Sequence, residues 1–262
     1  MSETQQPDRF TREAEHFDQI YSNQAKTDAL LLSDRDKQRY SNPPAGTAFP
    51  KEYYYHLLYP LQGKEILEIA CGDGVDACLA AYNGAHVYTY DVSLVSVELT
   101  QQRAKANGLS DRVHAEVCGE LDEVFRGKQF DAVIGYSALH HIPLPGLADK
   151  IRSRLKVGGV AVFSEPVVNS PFLARVRKLI PYRQYEMSDD QEPLNDKVIS
   201  ELSKPFDRLK RREFEFVSRI YPIFRKYRFI VTSLFTIDKF LMKIPFLKRF
   251  ASGVVFALYR DR

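Results

Sequence analysis

The chain has no tryptophan, and only three cysteines and three methionines among its 262 residues. The cysteines, at positions 71, 78 and 118, form no Cys-x-x-Cys pair, so the sequence predicts neither a disulfide framework nor a zinc ribbon. The excess of one sign of charge over the other is also small, since 37 Lys and Arg residues against 34 Asp and Glu residues give a net charge of only +3. This balance gives no reason to expect nucleic acid as a partner of the whole chain.

Long hydrophobic runs, repeats and low-complexity tracts are likewise missing. The longest apolar stretch near the C-terminus, Phe229–Ile237, stops at Asp238 and is too short to span a bilayer. The first ten residues lack the basic-then-apolar layout of a signal peptide. Hydrophobic residues still make up 44% of the chain, with 15 Tyr and 17 Phe. We therefore expect a folded, cytoplasmic protein with a large core.

From Lys64 onward, short apolar runs alternate with longer runs that have a helical pattern. The predicted strands are Ile66–Ala70, His86–Tyr90, Val113–Val117, Phe130–Tyr136, Val160–Ser164, Glu213–Tyr221 and Gly253–Tyr259. The predicted helices between the first five are Val75–Asn83, Val95–Asn107, Leu121–Phe125 and Leu147–Leu155. This alternation predicts an α/β fold, a Rossmann-like, doubly wound and mostly parallel seven-stranded sheet, with sites at the carboxyl ends of its strands.

The flanking segments differ from this pattern. Residues 1–60 contain two predicted helices, Arg12–Tyr21 and Lys51–Leu58, and are expected to form an N-terminal helical cap on a domain of residues 61–262. A helical insertion is expected at about residues 222–252. Pro166 to about Leu194 shows no clear element.

A strand runs into a glycine-bearing turn at Ile66-Leu67-Glu68-Ile69-Ala70-Cys71-Gly72-Asp73-Gly74. Glycines suit a place where a ligand lies against the backbone, because a side chain would hold the ligand off. An ordinary strand-to-helix turn is one alternative. A nicotinamide-dinucleotide site is another, since residues 72–77 fit the loose G-x-G-x-x-A pattern.

Asp91 ends the next predicted strand, where a carboxylate can accept the two hydroxyls of an adenosine ribose. The alternative is a helix cap, in which Asp91 or Ser93 accepts the first backbone N–H groups of the following helix.

From about Glu65 to Glu165 the chain resembles the class I S-adenosylmethionine-dependent methyltransferase family, small-molecule type. Residues 68–74 look like the first motif, with Ala70 in place of its first glycine, and Asp91 matches the ribose-binding acid. Cys118-Gly119-Glu120 falls at the adenine pocket, residues 130–142 resemble the fourth-strand motif, and residues 155–160 resemble its Gly-Gly turn. Five matches in order favour this family over a dinucleotide site, which would not explain Glu68 inside the first strand.

The resemblance implies S-adenosylmethionine as the cofactor and no metal. The residues that it assigns to cofactor binding are Glu68, Ala70, Cys71, Gly72, Gly74, Asp91, Val92, Cys118, Gly119, Glu120 and Tyr136.

His140 and His141 follow the fourth predicted strand and are the candidate catalytic residues. An imidazole with a pKa of about 6.5 can remove a proton from a methyl acceptor near neutral pH. The alternative is that one ring packs and the other contacts the cofactor. No D/N-P-P-Y/F motif follows the fourth strand, which argues against methylation of a nucleic-acid base amine.

Basic residues concentrate in the last sixty positions, interleaved with Phe, Leu and Ile. This composition predicts a small-molecule or lipid-like acceptor and peripheral contact with an anionic membrane. A nucleic-acid groove or a solvated helical face would explain the same charges. The alternative functions are an RNA or protein methyltransferase and a non-catalytic binding module. No feature of the sequence indicates an oligomeric state.

Overall fold

The structure is a computed structural model that describes residues 9–25, 30–170 and 194–262. Its helices are α1 (Arg9–Ala25), α2 (Asp34–Arg39), α3 (Pro50–Leu58), α4 (Val75–Tyr82), α5 (Leu94–Ala106), α6 (Leu147–Arg154), α7 (Asp196–Ser203), α8 (Arg228–Leu241) and α9 (Pro245–Lys248). Short 3-10 helices cover Leu139–His141 and Ser218–Phe224. The strands are β1 (Glu65–Ile69), β2 (His86–Asp91), β3 (Val113–Val117), β4 (Phe130–Tyr136), β5 (Leu155–Pro166), β6 (Arg208–Phe214) and β7 (Gly253–Tyr259).

The strands form one seven-stranded sheet in the order β3-β2-β1-β4-β5-β7-β6. Strand β2 pairs in parallel with β1, where His86 faces Glu65, and with β3, where Val87 faces Val113. Strand β7 is antiparallel to both β5 and β6. The sheet is therefore mixed, and the predicted Rossmann-like α/β fold is confirmed.

Contacts group the chain into two compact units, residues 1–38 with 61–130 and residues 39–60 with 131–262. In the first unit, the fully buried Ile66, Leu67 and Ile69 make β1 an almost continuous apolar strand, as expected for parallel strands covered on both faces. In the second, the buried rings of Phe163 and Phe256 pack across the β5–β7 pair at 5.5 Å. The division into a cap and a main domain stays a prediction.

The predicted helix Leu121–Phe125 is wrong, since this segment is a series of turns. Five residues are barely one helical turn, and nucleation costs more than so short a helix recovers. Positive φ angles at Phe125 (+42°) and Gly127 (+76°) end any continuation.

The predicted strand Glu213–Tyr221 is also misplaced, because β6 ends at Phe214. Glu215 has a φ of +63°, which breaks the extended backbone. Beyond it, the buried Asp238 carboxylate accepts the backbone N–H groups of residues 216–218 at 2.7–2.9 Å. These bonds direct the chain into the 3-10 helix that follows.

Helices α8 and α9 lie within the segment predicted as a helical insertion. Most of the segment predicted without a clear element, residues 171–193, lies outside the described part of the chain. Among the described helices, none is long and apolar enough to cross a membrane.

Candidate functional site

The turn after β1 is built from left-handed residues, with φ angles of +60° at Ala70, +52° at Gly72 and +74° at Gly74. A Cβ atom on Gly72 would lie 2.8 Å from Tyr21 Oη, the end of a flexible side chain. A Cβ atom on Gly74 would lie 2.7 Å from the backbone Cα of Thr100 in α5. Gly74 is therefore required for the packing of two helices, whereas Gly72 presents its backbone to α1.

Ala70 is the one position in this turn where the chain departs from the glycine pattern of the family. Its side chain is exposed, so its left-handed φ is strain without a packing benefit. We expect Ala70→Gly to raise the free energy of unfolding by about 0.5–1 kcal/mol, measured by urea denaturation. An unchanged or lower value would show that the alanine methyl group stabilises the turn.

Asp91, at the end of β2, is a buried carboxylate that accepts hydrogen bonds from backbone N–H groups. Oδ2 accepts the Gly72 N–H and Oδ1 accepts the Ser93 N–H, each at 3.0 Å. Burial raises the pKa of Asp91 to about 6, and the charge on Asp18 adds to the rise. The backbone N–H of Val92 is a third donor to this carboxylate, which has about four lone-pair sites in all.

The helix-cap alternative applies to Ser93 and not to Asp91. Ser93 is the residue before α5, and its Oγ accepts the Ser96 N–H at 3.0 Å. The Asp91 carboxylate instead joins the start of this helix to the glycine turn. Its position suits a ligand that bridges the ends of β1 and β2.

Three side chains of α1, within the segment predicted as the N-terminal helical cap, reach this turn. Asp18 Oδ1 accepts the Ser93 hydroxyl at 2.5 Å, which fixes α1 to the start of α5. Tyr21 lies over Gly72, and a Cβ atom on Gly119 would lie 3.0 Å from the ring of Phe10. Two aromatic side chains thus cover the two glycines predicted to lie against the cofactor.

The other predicted cofactor residues of this unit surround the same turn. The Cys118 N–H donates to the Asp91 carbonyl at 3.0 Å, and its thiol donates to the Glu120 carbonyl at 3.3 Å. Glu68 and Cys71 are buried, and Val92 is half-buried. Burial raises the pKa of the Cys71 thiol well above its ordinary value, so this thiol is not a nucleophile at neutral pH.

These residues fit an adenosine group. The Asp91 carboxylate matches a ribose hydroxyl, and the Phe10 ring beside Gly119 matches a flat, aromatic base that stacks on a ring. The glycine turn is further held by the buried Arg103, whose Nε donates to the Asp73 carbonyl at 2.9 Å. Asp91, Gly72 and Gly119 are the residues that would hold such a cofactor.

The second unit contains the predicted catalytic histidines, in the 3-10 helix after β4. His140 Nδ1 lies 2.8 Å from Glu165 Oε2, and both side chains are almost fully buried. Glu165 Oε1 also accepts the N–H groups of Ala138 and Leu139 at 2.9 and 2.8 Å. One carboxylate therefore fixes both the backbone of the turn and the orientation of the imidazole.

This geometry distinguishes the two histidines. A carboxylate accepts hydrogen bonds, so Nδ1 of His140 is the donor in this pair, and Nε2 is the other nitrogen of the ring. The His141 ring lies beside that of His140, with 4.0 Å between ring centroids and 40° between the ring planes. His140 is thus the histidine whose ring Glu165 orients, a contact that the sequence alone did not predict.

Tyr136, predicted to bind the cofactor, also lies in the second unit at the end of β4. Its ring is 37% exposed and packs edge-on against Tyr54 at 5.8 Å. The Lys51 ammonium lies over the same ring at 5.0 Å. The next residue, Ser137, has a φ of +54°, a strained conformation typical of functional turns.

No group of three or more His, Cys, Asp or Glu side chains that could hold a metal ion occurs within residues 9–25, 30–170 and 194–262.

Residues 66–159 match a family described as "Methyltransferase domain". This match supports membership of the class I S-adenosylmethionine-dependent methyltransferase family for the segment of residues 66–159. This result confirms the predicted family and, with it, S-adenosylmethionine as the cofactor type.

Two curated relatives illustrate the range of this methyltransferase family. The ubiquinone biosynthesis O-methyltransferase of Paracidovorax citrulli is 34% identical over 108 residues, covering 41% of this chain and 45% of that protein. The ribosomal protein L11 methyltransferase of Methylococcus capsulatus is 33% identical over 105 residues, covering 40% and 34%. The chain thus spans less than half the length of these relatives.

Among solved structures, the geranyl diphosphate C-methyltransferase of Streptomyces coelicolor is similar with a TM-score of 0.58 and 15% identity. The match covers 97% of this chain and all of that one. At this identity the likeness shows the methyltransferase fold alone.

Proposed function

We propose that this protein transfers a methyl group from S-adenosylmethionine to the hydroxyl group of a small, apolar acceptor. The observation that carries the proposal is the buried His140–Glu165 pair, placed directly after the fourth strand of a methyltransferase-family sheet. A neutral amine can attack with its own lone pair, whereas a hydroxyl is a poor nucleophile until its proton is removed. A histidine oriented for proton acceptance therefore favours a hydroxyl acceptor.

S-adenosylmethionine supplies a methyl group on a positively charged sulfur, which leaves as a neutral thioether when the acceptor oxygen takes the methyl group. Nε2 of His140 takes the hydroxyl proton as the new carbon–oxygen bond forms. Glu165 keeps Nδ1 protonated and stabilises the resulting imidazolium. Asp91 binds the ribose hydroxyls in the role expected from the family.

The acceptor class is supported by the surroundings of Tyr136 and by relatives. The exposed ring of Tyr136 beside Tyr54 suits a flat or apolar molecule. One relative is named for ubiquinone biosynthesis and one structural neighbour for geranyl diphosphate. Molecules of this kind partition into membranes, so we also propose that the protein works in peripheral contact with a membrane.

The proposal is tested in two steps. Calorimetry should show binding of S-adenosylmethionine and its demethylated product, and none of NAD. Labelled methyl groups should then pass to catechols or quinols carrying a prenyl chain. Binding of NAD in place of S-adenosylmethionine would refute the cofactor assignment. Labelling of a protein or RNA fraction, with no labelling of the phenolic acceptors, would establish the alternative acceptor classes.

The affinity for S-adenosylmethionine should depend on pH through Asp91. Ribose hydroxyls donate to the ionised carboxylate, so protonation near the pKa of about 6 opposes binding. The dissociation constant should rise about tenfold between pH 7.5 and pH 5. Stability of the free protein should change in the opposite sense, because the raised pKa stabilises the fold at low pH and this contribution is lost as the pH rises through 6.

Two variants serve as controls for this pH dependence. Asp91→Asn should bind the cofactor more weakly, by about 1.5–3 kcal/mol, with an affinity that no longer changes between pH 5 and 7.5. Asp18→Asn should keep the dependence and shift its midpoint to lower pH, since one neighbouring negative charge is removed. A flat profile for the unmodified protein would show that Asp91 does not bind the ribose.

A further inference from the structure

We propose that the segment Ser218–Arg249 in the second unit forms a docking surface for an anionic lipid bilayer. This inference deepens the proposed membrane contact by assigning it to particular side chains, and it rests on the proposed function for its purpose. We call these residues the 218–249 surface. It comprises the 3-10 helix Ser218–Phe224 and helices α8 and α9.

The first argument is the placement of large apolar side chains on α8. Phe235 and Asp238 are buried and define the inner face of this helix. Phe229 and Phe240 lie eleven residues apart, about three helical turns, on the opposite face and are 84% and 58% exposed. Ile237 is also exposed. An amphipathic helix that needed only to cover a core would not have phenylalanines on its outer face.

Neighbouring segments extend the same apolar surface. Ile223 is 76% exposed, and Tyr227 and Phe246 are exposed by more than half. Exposed apolar residues scattered singly over a protein are ordinary, but here they concentrate in one stretch of about thirty residues. This concentration indicates that the surface contacts an apolar partner.

The second argument is the charge of the segment, which indicates the chemistry of that partner. The segment contains eight Lys and Arg residues and a single acid, Asp238. That acid is buried and accepts three backbone N–H groups, so it contributes no negative charge to the outer face. The exposed basic residues are Arg225, Lys226, Arg228, Lys243, Lys248 and Arg249. An apolar surface with a basic rim matches the acyl boundary and phosphates of an anionic bilayer.

Two contacts show how rings and cations are paired. The Lys243 ammonium lies 5.1 Å from the centre of the Phe240 ring, and the Arg249 guanidinium lies 4.0 Å from that of Phe246. Each pair combines an exposed ring with a long side chain that can extend to a phosphate. Nucleic acid would also attract the cations, but it would leave Phe229 and Ile223 without an apolar environment.

The test is co-sedimentation of the full chain with vesicles of phosphatidylcholine alone or with 30% phosphatidylserine. The unmodified protein should sediment with the anionic vesicles at low salt and much less at 0.5 M salt. The double variant F229S/F240S should bind at least tenfold more weakly. The affinity of the double variant R225Q/K226Q for anionic vesicles should fall about fivefold for each charge removed, and its affinity for neutral vesicles should not change.

Matched controls come from exposed residues outside the 218–249 surface. Val157→Ser removes an apolar side chain that is 64% exposed, and Lys204→Gln removes a charge whose side chain is 67% exposed. Both should bind vesicles like the unmodified protein. Circular dichroism should show that all variants remain folded, as expected for exposed positions.

The inference would be overturned if the protein stayed in the supernatant with every vesicle, or if the controls lost as much vesicle affinity as F229S/F240S. It would also be overturned if RNA abolished vesicle binding and F229S/F240S left that binding unchanged. Dissociation of a dimer by F229S/F240S, without vesicle binding, would identify a second copy as the occupant. Calorimetry with S-adenosylmethionine separates this inference from the proposed function. Vesicle binding without cofactor binding would refute only the function, and the reverse would refute only the surface.

Discussion

His140→Ala should lower the turnover number by 10²–10⁴-fold while leaving the affinity for S-adenosylmethionine within about twofold of its original value. The reason is that Nε2 of His140 removes the acceptor proton, and no step of cofactor binding requires it. Turnover is measured with labelled cofactor at saturating acceptor, and affinity by calorimetry. This is the largest kinetic effect that the proposed function predicts for a single side chain.

Glu165→Gln tests the same proposal through the positioning residue. The amide of this variant can still accept the N–H groups of Ala138 and Leu139, but its NH₂ group would face Nδ1 of His140. Nδ1 must then accept, which transfers the proton to Nε2 and removes the base. We expect a loss of turnover of about 10²-fold or more, a changed pH–rate profile and a free energy of unfolding that stays within about 1 kcal/mol of the original value.

His141→Ala is the matched control, because this ring lies beside that of His140, whereas Nδ1 of His140 is the ring nitrogen that lies 2.8 Å from the Glu165 carboxylate. The turnover number of this variant should fall by no more than about tenfold. Equal losses in the two alanine variants would contradict the assignment of His140 and indicate that the pair only orients the acceptor. A normal pH–rate profile in Glu165→Gln would contradict the positioning role.

Much of this site could be predicted from sequence because its parts lie at the ends of strands. Asp91 is the last residue of β2, the glycine turn follows β1, and the histidine pair follows β4. The order of these junctions is a local property of the chain, so it identified the family and the fold. Strand boundaries were predictable where runs of buried residues begin and end sharply, as in β1 and β4.

Other features depend on contacts between distant residues and left no local pattern. Glu165 reaches His140 across 25 positions, and Asp18 reaches Ser93 across 75. The misplaced strand has the same cause, since Asp238 fixes the backbone of residues 216–218 from a helix twenty residues later. Strand β6 is largely charged and pairs with the buried β7, so tertiary context overrides its low strand propensity.

Gly74→Ala should lower the free energy of unfolding by about 3–5 kcal/mol, enough to unfold a protein of ordinary stability. The added Cβ would lie 2.5 Å from Thr100 Oγ1 and 2.7 Å from its Cα, and a backbone atom in a packed helix cannot move aside. The left-handed φ of +74° adds strain of about 1–2 kcal/mol. Urea denaturation followed by circular dichroism measures the change.

Substitutions at two other glycines distinguish the steric clash from the backbone strain in this loss of stability. Gly108 has a similar φ of +69°, and no atom lies within 4 Å of an added Cβ. Gly108→Ala should therefore lower the free energy of unfolding only by the backbone strain of about 1–2 kcal/mol. Gly72→Ala should lose about as little, because the Tyr21 hydroxyl that its Cβ approaches is the end of a mobile side chain. Its main effect should be on cofactor affinity. If Gly74→Ala and Gly108→Ala were equally stable, the close approach of α4 and α5 would not be what requires a glycine at position 74.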